Sequence, residues 1–568
     1  MSNKSLYNRP QSQKGTNRNA LMVLIVALVI IAAACCGGVA LVYVLLSGDG
    51  DGAATLAPST SSATLTVAYS PEKETLFSQL VSDFNRQGLE TPDGQKMVVT
   101  TVQLDPATMI DRALTGELQA ISPDSSLWLY QLDATWMEAH GTDLPVVGET
   151  VRYAVSPVVI AMWEDVARSM GYPDRPLGWE DLLNKAQSDP NFKWSHPATS
   201  SASGLLATLA EFYAGAGITR GLTLEDAQRQ STLDYVAAIE KTVRYYGEGE
   251  WAVVQRVLQE GRSYLDAWVC QEQLVVYLNQ NQSDQVVAVY PQEGALWQDH
   301  PLALLETPAL TTNQRLVFSR LRDFLLSETS QARVLAAGYR PGDLNLSLTD
   351  PASPLTAANG VDPAQPQTSL QLPNAAVVEV VRNVWWYTKR HTNVYLVVDV
   401  SGSMRGDKIQ GAQAALRAFV ELIAGDVERV GLVEFSSQVR ESVPLDDLGD
   451  NRARLLATID ALEVGGDTSL LDAVALAYDN LQRAADAERI NAIVVMTDGL
   501  ENHSAINQRQ LLHKLETQDV PVVIFCIAYG ADADRATLQD IAGATGGQLR
   551  EGDLETIREL YQILSTYF

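Results

Sequence analysis

Cysteine, histidine and basic residues are scarce in this chain of 568 residues. It holds 4 cysteines and 6 histidines, and neither a CxxC pair nor an HExxH motif occurs, so a disulfide framework and a zinc site of familiar spacing are not expected. We interpret the scattered histidines as ordinary surface or core residues. Lysine and arginine total 41 against 69 acidic residues, and the formal net charge is −28. Because nucleic-acid binding requires basic surface to neutralise phosphates, this balance argues against that class of partner.

Motifs of the common enzyme classes are also absent from the sequence. Neither a GxxxxGK[ST] phosphate loop nor a GxSxG nucleophile turn occurs. Carboxylates are so numerous that no single acid–base pair stands out. Glu501 and His503 follow a polar motif described below, and we interpret both as solvated loop residues. The sequence therefore predicts a binding protein and not an enzyme.

The longest uncharged run lies near the N-terminus. Residues 1–20 contain basic residues and no acid, and Leu21 to Ser47 carry no charge. That run exceeds the ~20 residues needed to span a bilayer, and its basic flank predicts a cytoplasmic N-terminus. We therefore expect a basic cytoplasmic tail, one transmembrane helix at 21–47, a linker at 48–63 and extracytoplasmic modules beyond it. A cleaved signal peptide and a lipoprotein signal around Ala32 to Cys35 are the alternatives.

Two short apolar runs in the C-terminal third end in polar residues. Val394 to Val398 precede Asp399, and Ala492 to Met496 precede Thr497 and Asp498. Such runs are typical of parallel strands covered on both faces, and the carboxyl ends of these strands meet at one edge of a sheet. The side chains expected to gather there are Asp399, Ser401, Ser403, Thr468 and Asp498. This all-oxygen set predicts a hard cation, Mg2+ first, with Mn2+ and Ca2+ as alternatives.

The Asp-x-Ser-x-Ser loop, the separate threonine and the later aspartate resemble the metal-ion-dependent adhesion site of von Willebrand factor A domains. The resemblance covers residues 374–568 and implies a doubly wound, Rossmann-like α/β sheet. It also implies that the five residues named above hold the metal, and that an Asp or Glu carboxylate of a protein partner completes its shell. For the DxSxS loop taken alone, a turn and helix cap is the alternative.

Residues 64–348 are flanked by two polar stretches. A Ser/Thr/Pro/Ala-rich segment precedes them, and a proline-rich segment at 349–373 follows, which we interpret as a linker. Alternating strand and helix patterns predict a second α/β unit with two lobes. Dispersed phrases, among them Tyr69 to Lys73, Ser122 to Trp128 and Gly338 to Pro341, resemble the extracellular solute-binding proteins served by ABC importers. The resemblance implies a two-lobed periplasmic-binding-protein-like fold, and the module order resembles bacterial membrane proteins that fuse such a domain to an A domain.

Loops that open helices and strands that cross between lobes supply the candidate solute contacts. Helix N-termini offer free N–H groups and a positive dipole end, so an oxyanion is one expected ligand. Sugars, peptides and no ligand at all stay open as alternatives. The candidate residues are Ser70, Ser125, Ser126, Ser156, Ser201 and Tyr290. For each serine, a plain N-cap or turn is the competing interpretation.

Together these features predict a single-pass, membrane-anchored protein with its two modules outside the cytoplasm. The distal module is expected to bind a protein partner through Mg2+, and the proximal one to bind a small solute. A solute receptor for an ABC importer is one alternative. A scaffold with a degenerate cleft is the other.

Overall fold

The computed structural model describes residues 62–565, apart from 248, 424, 518–519 and 555. The basic tail, the predicted transmembrane helix at 21–47 and almost all of the following linker lie outside this part of the chain. Among the helices of the described residues, none is both long and apolar enough to cross a bilayer.

Strands and helices alternate through most of the described chain. The strands are β1 Ser62–Tyr69, β2 Lys96–Gln103, β3 Ala120–Ser122, β4 Val147–Arg152, β5 Ala154–Trp163, β6 Trp194–Ser195, β7 Ala267–Gln271, β8 Val286–Val289, β9 Trp297–Gln298, β10 Pro301–Leu305, β11 Arg340–Pro341, β12 Thr392–Asp399, β13 Arg429–Phe435, β14 Val439–Asp447, β15 Ile490–Thr497, β16 Val522–Tyr529 and β17 Leu549–Gly552. The helices are α1 Glu74–Arg86, α2 Pro106–Leu114, α3 Leu127–His140, α4 Glu164–Met170, α5 Trp179–Ser188, α6 Ala202–Ala216, α7 Leu224–Gln228, α8 Gln230–Glu240, α9 Glu250–Glu260, α10 Glu272–Asn281, α11 Thr312–Leu325, α12 Glu328–Ala336, α13 Ala375–Thr388, α14 Asp407–Leu422, α15 Leu448–Asp460, α16 Leu470–Ala484, α17 Gln508–Glu516, α18 Arg535–Ala544 and α19 Ile557–Ser565.

Two mixed sheets form the two lobes of the first module. Lobe 1 has the strand order β2-β1-β3-β10-β4, with β1 parallel to β2 and β3. Lobe 2 is built around β5, which pairs with β7, β8, β9 and β11. The chain passes between the lobes from β4 to β5 and again from β9 to β10. This two-lobed α/β architecture is the one that the sequence predicts for residues 64–348.

A third sheet forms the second module, in the order β14-β13-β12-β15-β16-β17. All its neighbours are parallel except β13 and β14. Strands β12, β15 and β16 are buried at every residue, as their unbroken apolar runs predict. Helices α14 to α19 alternate with these strands, giving the doubly wound arrangement expected from the sequence.

The proline-rich segment at 349–373 differs from the open linker that its composition suggests. Leu355, Val361 and Leu370 are buried in the same apolar cluster as the core of lobe 2. The backbone N–H of Ala288 donates to the carbonyl of Gly360, and that of Leu370 donates to Ala295. Because these apolar side chains are widely spaced among prolines, the pattern has neither helix nor strand period. The segment is packed chain without regular structure over most of its length.

Helix α13 lies within the residues predicted for the A domain but packs on lobe 2. Asn374 caps it by accepting a hydrogen bond from the N–H of Val377. Its buried face contacts α6, α7 and α8. At its C-terminal end, the indole Nε1 of Trp385 donates to Glu240 Oε1 at 2.7 Å. The physical join between the modules therefore follows α13.

A wholly buried ion pair lies where α13 meets β12. Lys389 Nζ is 3.0 Å from Glu428 Oε1, and both side chains are 0% exposed. Glu428 also accepts hydrogen bonds from His391 and from the backbone N–H and hydroxyl of Thr392. Burial opposes ionisation of Glu428, but the charge of Lys389 and these hydrogen bonds outweigh it and lower its pKa to about 2. Burial also lowers the pKa of Lys389, so the pair stabilises the fold by less than the Glu428 shift alone implies.

Replacing Glu428 with glutamine should destabilise the protein and change its response to acid. The variant leaves Lys389 buried without its counter-charge, which costs about 3–5 kcal/mol at pH 7. Since the folded pKa lies below the ordinary value of 4.5, the carboxylate stabilises the fold above that pH and loses this effect as pH falls toward 2. Urea unfolding from pH 7 to 2 should show the gap between wild type and Glu428→Gln closing. Glu421→Gln, at an exposed pair with Arg417, is the control and should change little.

Candidate functional site

The five predicted oxygen ligands lie at one edge of the third sheet. Asp399 ends β12, and Asp498 directly follows β15, its parallel neighbour. Ser401 precedes a short 3-10 turn and Ser403 lies within it, and Thr468 lies just before α16. The strands thus deliver both carboxylates to one place, as parallel pairing predicts.

Hydrogen bonds connect four of these residues directly. Asp399 Oδ1 accepts from the backbone N–H of Ser401 at 2.7 Å, and Oδ2 accepts from the hydroxyl of Thr497 at 2.5 Å. The hydroxyls of Ser401 and Ser403 are 2.9 Å apart, and Ser403 donates to Asp498 Oδ1 at 2.6 Å. Thr497, the last residue of β15, is a member of this network that the sequence reasoning did not include among the ligands.

Gly499 shows how closely the remaining oxygens converge. A Cβ built on this glycine would lie 3.2 Å from Thr468 Oγ1, 3.5 Å from Ser403 Oγ and 3.8 Å from Asp399 Oδ2. Three oxygens from separate segments therefore surround one small space beside the glycine backbone. Ser403 is exposed, so the space is open to solvent on that side. Hydroxyls and carboxylates arranged in this way fit a hard divalent cation.

Lys408 is a further neighbour that sequence reasoning missed. Lys408 lies in the first turn of α14, and its ammonium donates to Asp498 Oδ2 at a distance of 2.5 Å. Asp399 and Asp498 are both 0% exposed. Burial raises the pKa of Asp399, and the nearby charge of Asp498 adds to this effect. Since two buried carboxylates face only one ammonium, the charge balance at this edge favours binding of a further cation.

Four of the predicted solute contacts lie near the junction of the two lobes, in segments that hydrogen bonds or strand pairing connect. Ser70 donates to Glu72 at 2.6 Å, and Ser125 accepts from the N–H of Leu127. Ser126 donates through its backbone and its hydroxyl to Asp299, at 2.7 and 2.6 Å. Ser156, on β5, pairs in register with Gln298.

Ser201 and Tyr290 have other surroundings. Ser201 caps α6 by accepting from Gly204, the role that the alternative interpretation gave it. The neighbouring Ala202 packs in a cluster with Trp128 of lobe 1, so this helix start does lie at the lobe interface. Tyr290 donates to Glu272 and accepts from the N–H of Asp362, which directs it toward the packed segment at 349–373.

Acidic side chains that the sequence reasoning missed line the space between the lobes. Glu72, Asp124 and Glu250 are each at most 6% exposed. Burial is the main cause that raises the pKa of all three, and Glu72 further raises that of Asp124 and Glu250. Lys73 is also buried and donates to Ser122 and to the carbonyl of Pro123. Burial lowers the pKa of Lys73 although the carboxylates oppose that change. The charges of Glu72, Asp124 and Asp299 all act on Lys73, and Glu250 lies near Glu72 and Asp124, so acids outnumber the ammonium in this cleft.

Several polar atoms in this cleft are buried without a hydrogen-bond partner among the described residues. They are Ser156 Oγ, both amide atoms of Gln298 and His300 Nδ1. The other ring nitrogen of His300 contacts Gln271 Oε1 at 2.6 Å, and the residue adopts φ +34°, which is rare outside glycine. Helix α9 of lobe 2 contacts the turn Pro71–Lys73 of lobe 1, so the lobes are closed over these atoms.

Comparison with protein families agrees with the two folds. Residues 65–340 match the model for a bacterial extracellular solute-binding protein, and residues 393–562 match the model for a von Willebrand factor type A domain. The chain joins these two domains.

Similar proteins each match part of the fusion. The inter-alpha-trypsin inhibitor heavy chain H4 of Sus scrofa is 28% identical over 188 residues, which is 32% of this chain and 20% of that protein. An uncharacterised protein of Mycobacterium tuberculosis is 24% identical over 371 residues, 60% of this chain and 50% of that protein. The chain thus spans a fifth to a half of the length of these two relatives. The sulfate-binding protein SubI from Mycobacterium tuberculosis H37Rv covers 50% of this chain with 88% of its own, at 18% identity and a TM-score of 0.36.

Replacing Thr497 with valine should destabilise the A domain while keeping its shape. The change removes the donor to Asp399 Oδ2 and leaves a buried carboxylate oxygen with one partner fewer, at a cost of about 1–3 kcal/mol. Urea unfolding in the presence of EDTA measures this cost without any contribution from metal. Thr458→Val, where the hydroxyl bonds a helix carbonyl at a partly exposed position, is the matched control. Equal losses in the two variants would contradict the assigned role.

Proposed function

We propose that the A domain binds a protein partner through a divalent cation, with Mg2+ the first candidate. Asp399, Ser401, Ser403, Thr468 and Asp498 would hold the ion directly or through water. The observation that carries this proposal is the convergence of three of their oxygens on the position of a Gly499 Cβ. We propose a binding role and not a catalytic one.

The neighbouring residues suggest how the ion would stay available to a partner. Thr497 and the N–H of Ser401 orient Asp399, while Asp498 already accepts from Lys408 and Ser403. An ion held mostly by neutral hydroxyls keeps affinity for further negative charge. When bound, it would supply a coordination position for an Asp or Glu carboxylate of the partner.

Filling the space beside Gly499 should prevent metal binding without unfolding the domain. The Gly499→Ala methyl group would lie within contact distance of the three oxygens, and the backbone there does not require glycine. Calorimetric titration of the full chain with Mg2+ and Mn2+ should give binding for wild type and none for Gly499→Ala or Asp399→Ala. Asp540→Ala removes an exposed carboxylate of the same domain and should bind as wild type does. Metal binding by Gly499→Ala with unchanged affinity would contradict this assignment.

Partner binding should depend on the same residues. Protein immobilised in Mg2+ should retain a partner from cell membranes and release it in EDTA, and Asp399→Ala should retain none in either buffer. A partner retained equally in every condition would exclude adhesion through the metal. If that partner were an ABC permease, the solute-receptor alternative would replace adhesion.

We also propose that residues 21–47 anchor the protein in the membrane with both modules on the extracytoplasmic side. The uncharged run and its basic flank support this topology. Extracytoplasmic domains of a single-pass protein would meet partners and solutes outside the cytoplasm.

The cleft supports a second binding function. We propose that it takes a small solute carrying a positive charge, such as an amine. Glu72, Asp124 and Glu250 outnumber Lys73, and the unpartnered atoms of Ser156, Gln298 and His300 offer places for polar contacts. This charge balance favours a cation over the oxyanion expected from the helix starts.

A thermal-shift series can distinguish these ligand classes. Amines at 100 times their Kd should stabilise the wild-type chain by about 2.7 kcal/mol, whereas sugars and sulfate should not. Glu250→Gln should lose the effect, and Glu328→Gln, at an exposed position in lobe 1, should keep it. Stabilisation by sulfate alone would restore the oxyanion interpretation. Stabilisation by no solute would favour the scaffold with a degenerate cleft.

A further inference from the structure

A histidine and two glutamates outside both sites meet in the interior of lobe 2. His196 follows β6, Glu211 lies in α6 and Glu240 ends α8, and all three are 0% exposed. One nitrogen or oxygen atom from each lies within 4.8 Å of the other two. Three separate elements of the lobe therefore bring metal-ligating groups to one point.

The ring of His196 places its Nε2 atom at this point. Its Nδ1 is 2.8 Å from the carbonyl oxygen of Pro197, which can only accept, so Nδ1 carries a hydrogen. In the neutral ring, Nε2 is then an acceptor, and it lies 3.2 Å from Glu240 Oε2 and 4.0 Å from Glu211 Oε1. A lone pair facing carboxylate oxygens is unfavourable unless a positive species lies among them.

Glu211 adds a second buried carboxyl group whose charge would need a positive species nearby. Both of its carboxylate oxygens are buried without a hydrogen-bond partner among the described residues. Burial raises the pKa of Glu211 well above its usual range, and the charge of Glu240 adds to that rise. Lys389, whose charge also acts on Glu240, is paired with Glu428 at 3.0 Å. A buried carboxylate in this position requires a proton or a bound cation.

We propose that His196, Glu211 and Glu240 bind one divalent transition-metal ion, with Zn2+ the best match. Donor atoms that are each about 2.1 Å from one ion lie at most about 4.2 Å apart, and the separations of 3.2 and 4.0 Å from His196 Nε2 fall within that limit. One imidazole with two carboxylates is a ligand set that suits zinc better than Mg2+, which prefers oxygen and water. This site is independent of the cation proposed for the A domain.

Groups around Glu240 orient it as outer partners of a metal ligand do. The hydroxyl of Tyr246 donates to Oε2 at 2.6 Å, and Trp385 Nε1 donates to Oε1 at 2.7 Å. The Tyr246 ring also packs edge-on against the ring of His196, with centroids 5.3 Å apart. Because Trp385 belongs to α13, an ion at this point would hold lobe 2 to the helix that leads into the A domain. Its role would be structural.

Zinc content of the full chain tests the proposal. Wild type, Asp399→Ala, His196→Gln and Glu211→Gln are produced with Zn2+, freed of loosely held metal by gel filtration, and analysed by plasma mass spectrometry. We expect one zinc ion per chain in wild type and in Asp399→Ala, and its loss in His196→Gln and Glu211→Gln. Since Asp399→Ala removes the A-domain ligand, retention of zinc there separates this site from the proposed adhesion site.

Two controls separate loss of a ligand from damage to the core. Val236→Ala alters the same buried core without removing a ligand or a hydrogen bond to one, and His513→Gln removes an exposed histidine beside Glu516. Both should keep the ion, and Co2+ substituted into them should give the same visible bands as in wild type. Zinc retained by folded Glu211→Gln would overturn the proposal. A folded wild type that contains no zinc would also overturn it, because the buried groups would then be satisfied by a shared proton instead of a metal ion.

Discussion

Strand β12 is buried along its whole length, and this constraint determines where the second module can place polar chemistry. A strand covered on both faces and paired on both edges leaves only its ends for charged groups. Its first residue, Thr392, contacts Glu428 and thereby the Lys389 pair, and its last residue is Asp399. The join to lobe 2 and the oxygen-lined edge therefore lie at opposite ends of one strand.

Apart from Glu428, which is paired with Lys389, buried carboxylates occur in three places described above. The positively charged groups near them differ from place to place. At the sheet edge, Lys408 contacts one of two acids, and in the cleft the charges of Glu72, Asp124 and Asp299 all act on Lys73. In lobe 2, the side-chain oxygens of Glu211 have no hydrogen-bond partner among the described residues. Because an unpaired buried charge is costly, all three places favour cations, although by different ligand sets. These interior acids, unlike the acids on the surface, are therefore candidates for binding cations.

Apolar continuity made the A domain predictable from its sequence. The runs before Asp399 and Asp498 become β12 and β15, as expected. The packing of residues 349–373 could not be predicted from apolar runs, because Leu355, Val361 and Leu370 follow no regular period. Tertiary packing buries these three side chains. The cleft acids escaped notice for another reason: in a chain with 69 acidic residues, type alone does not separate a buried glutamate from a solvated one. Lys408 and Thr497 likewise acquire their roles only through contacts across the sheet.

The packing of α13 on lobe 2 has a mechanical consequence. A partner held at the Asp399 end would pull on β12 along its axis, and its hydrogen bonds to β13 and β15 would be loaded in shear, all together. The force would then pass through Thr392 and the Lys389–Glu428 pair to Trp385 and lobe 2. The residues along this path are packed, so they would extend little before the force reached lobe 2. With the modules connected in this way, force applied at the Asp399 edge would reach lobe 2, which forms one wall of the cleft.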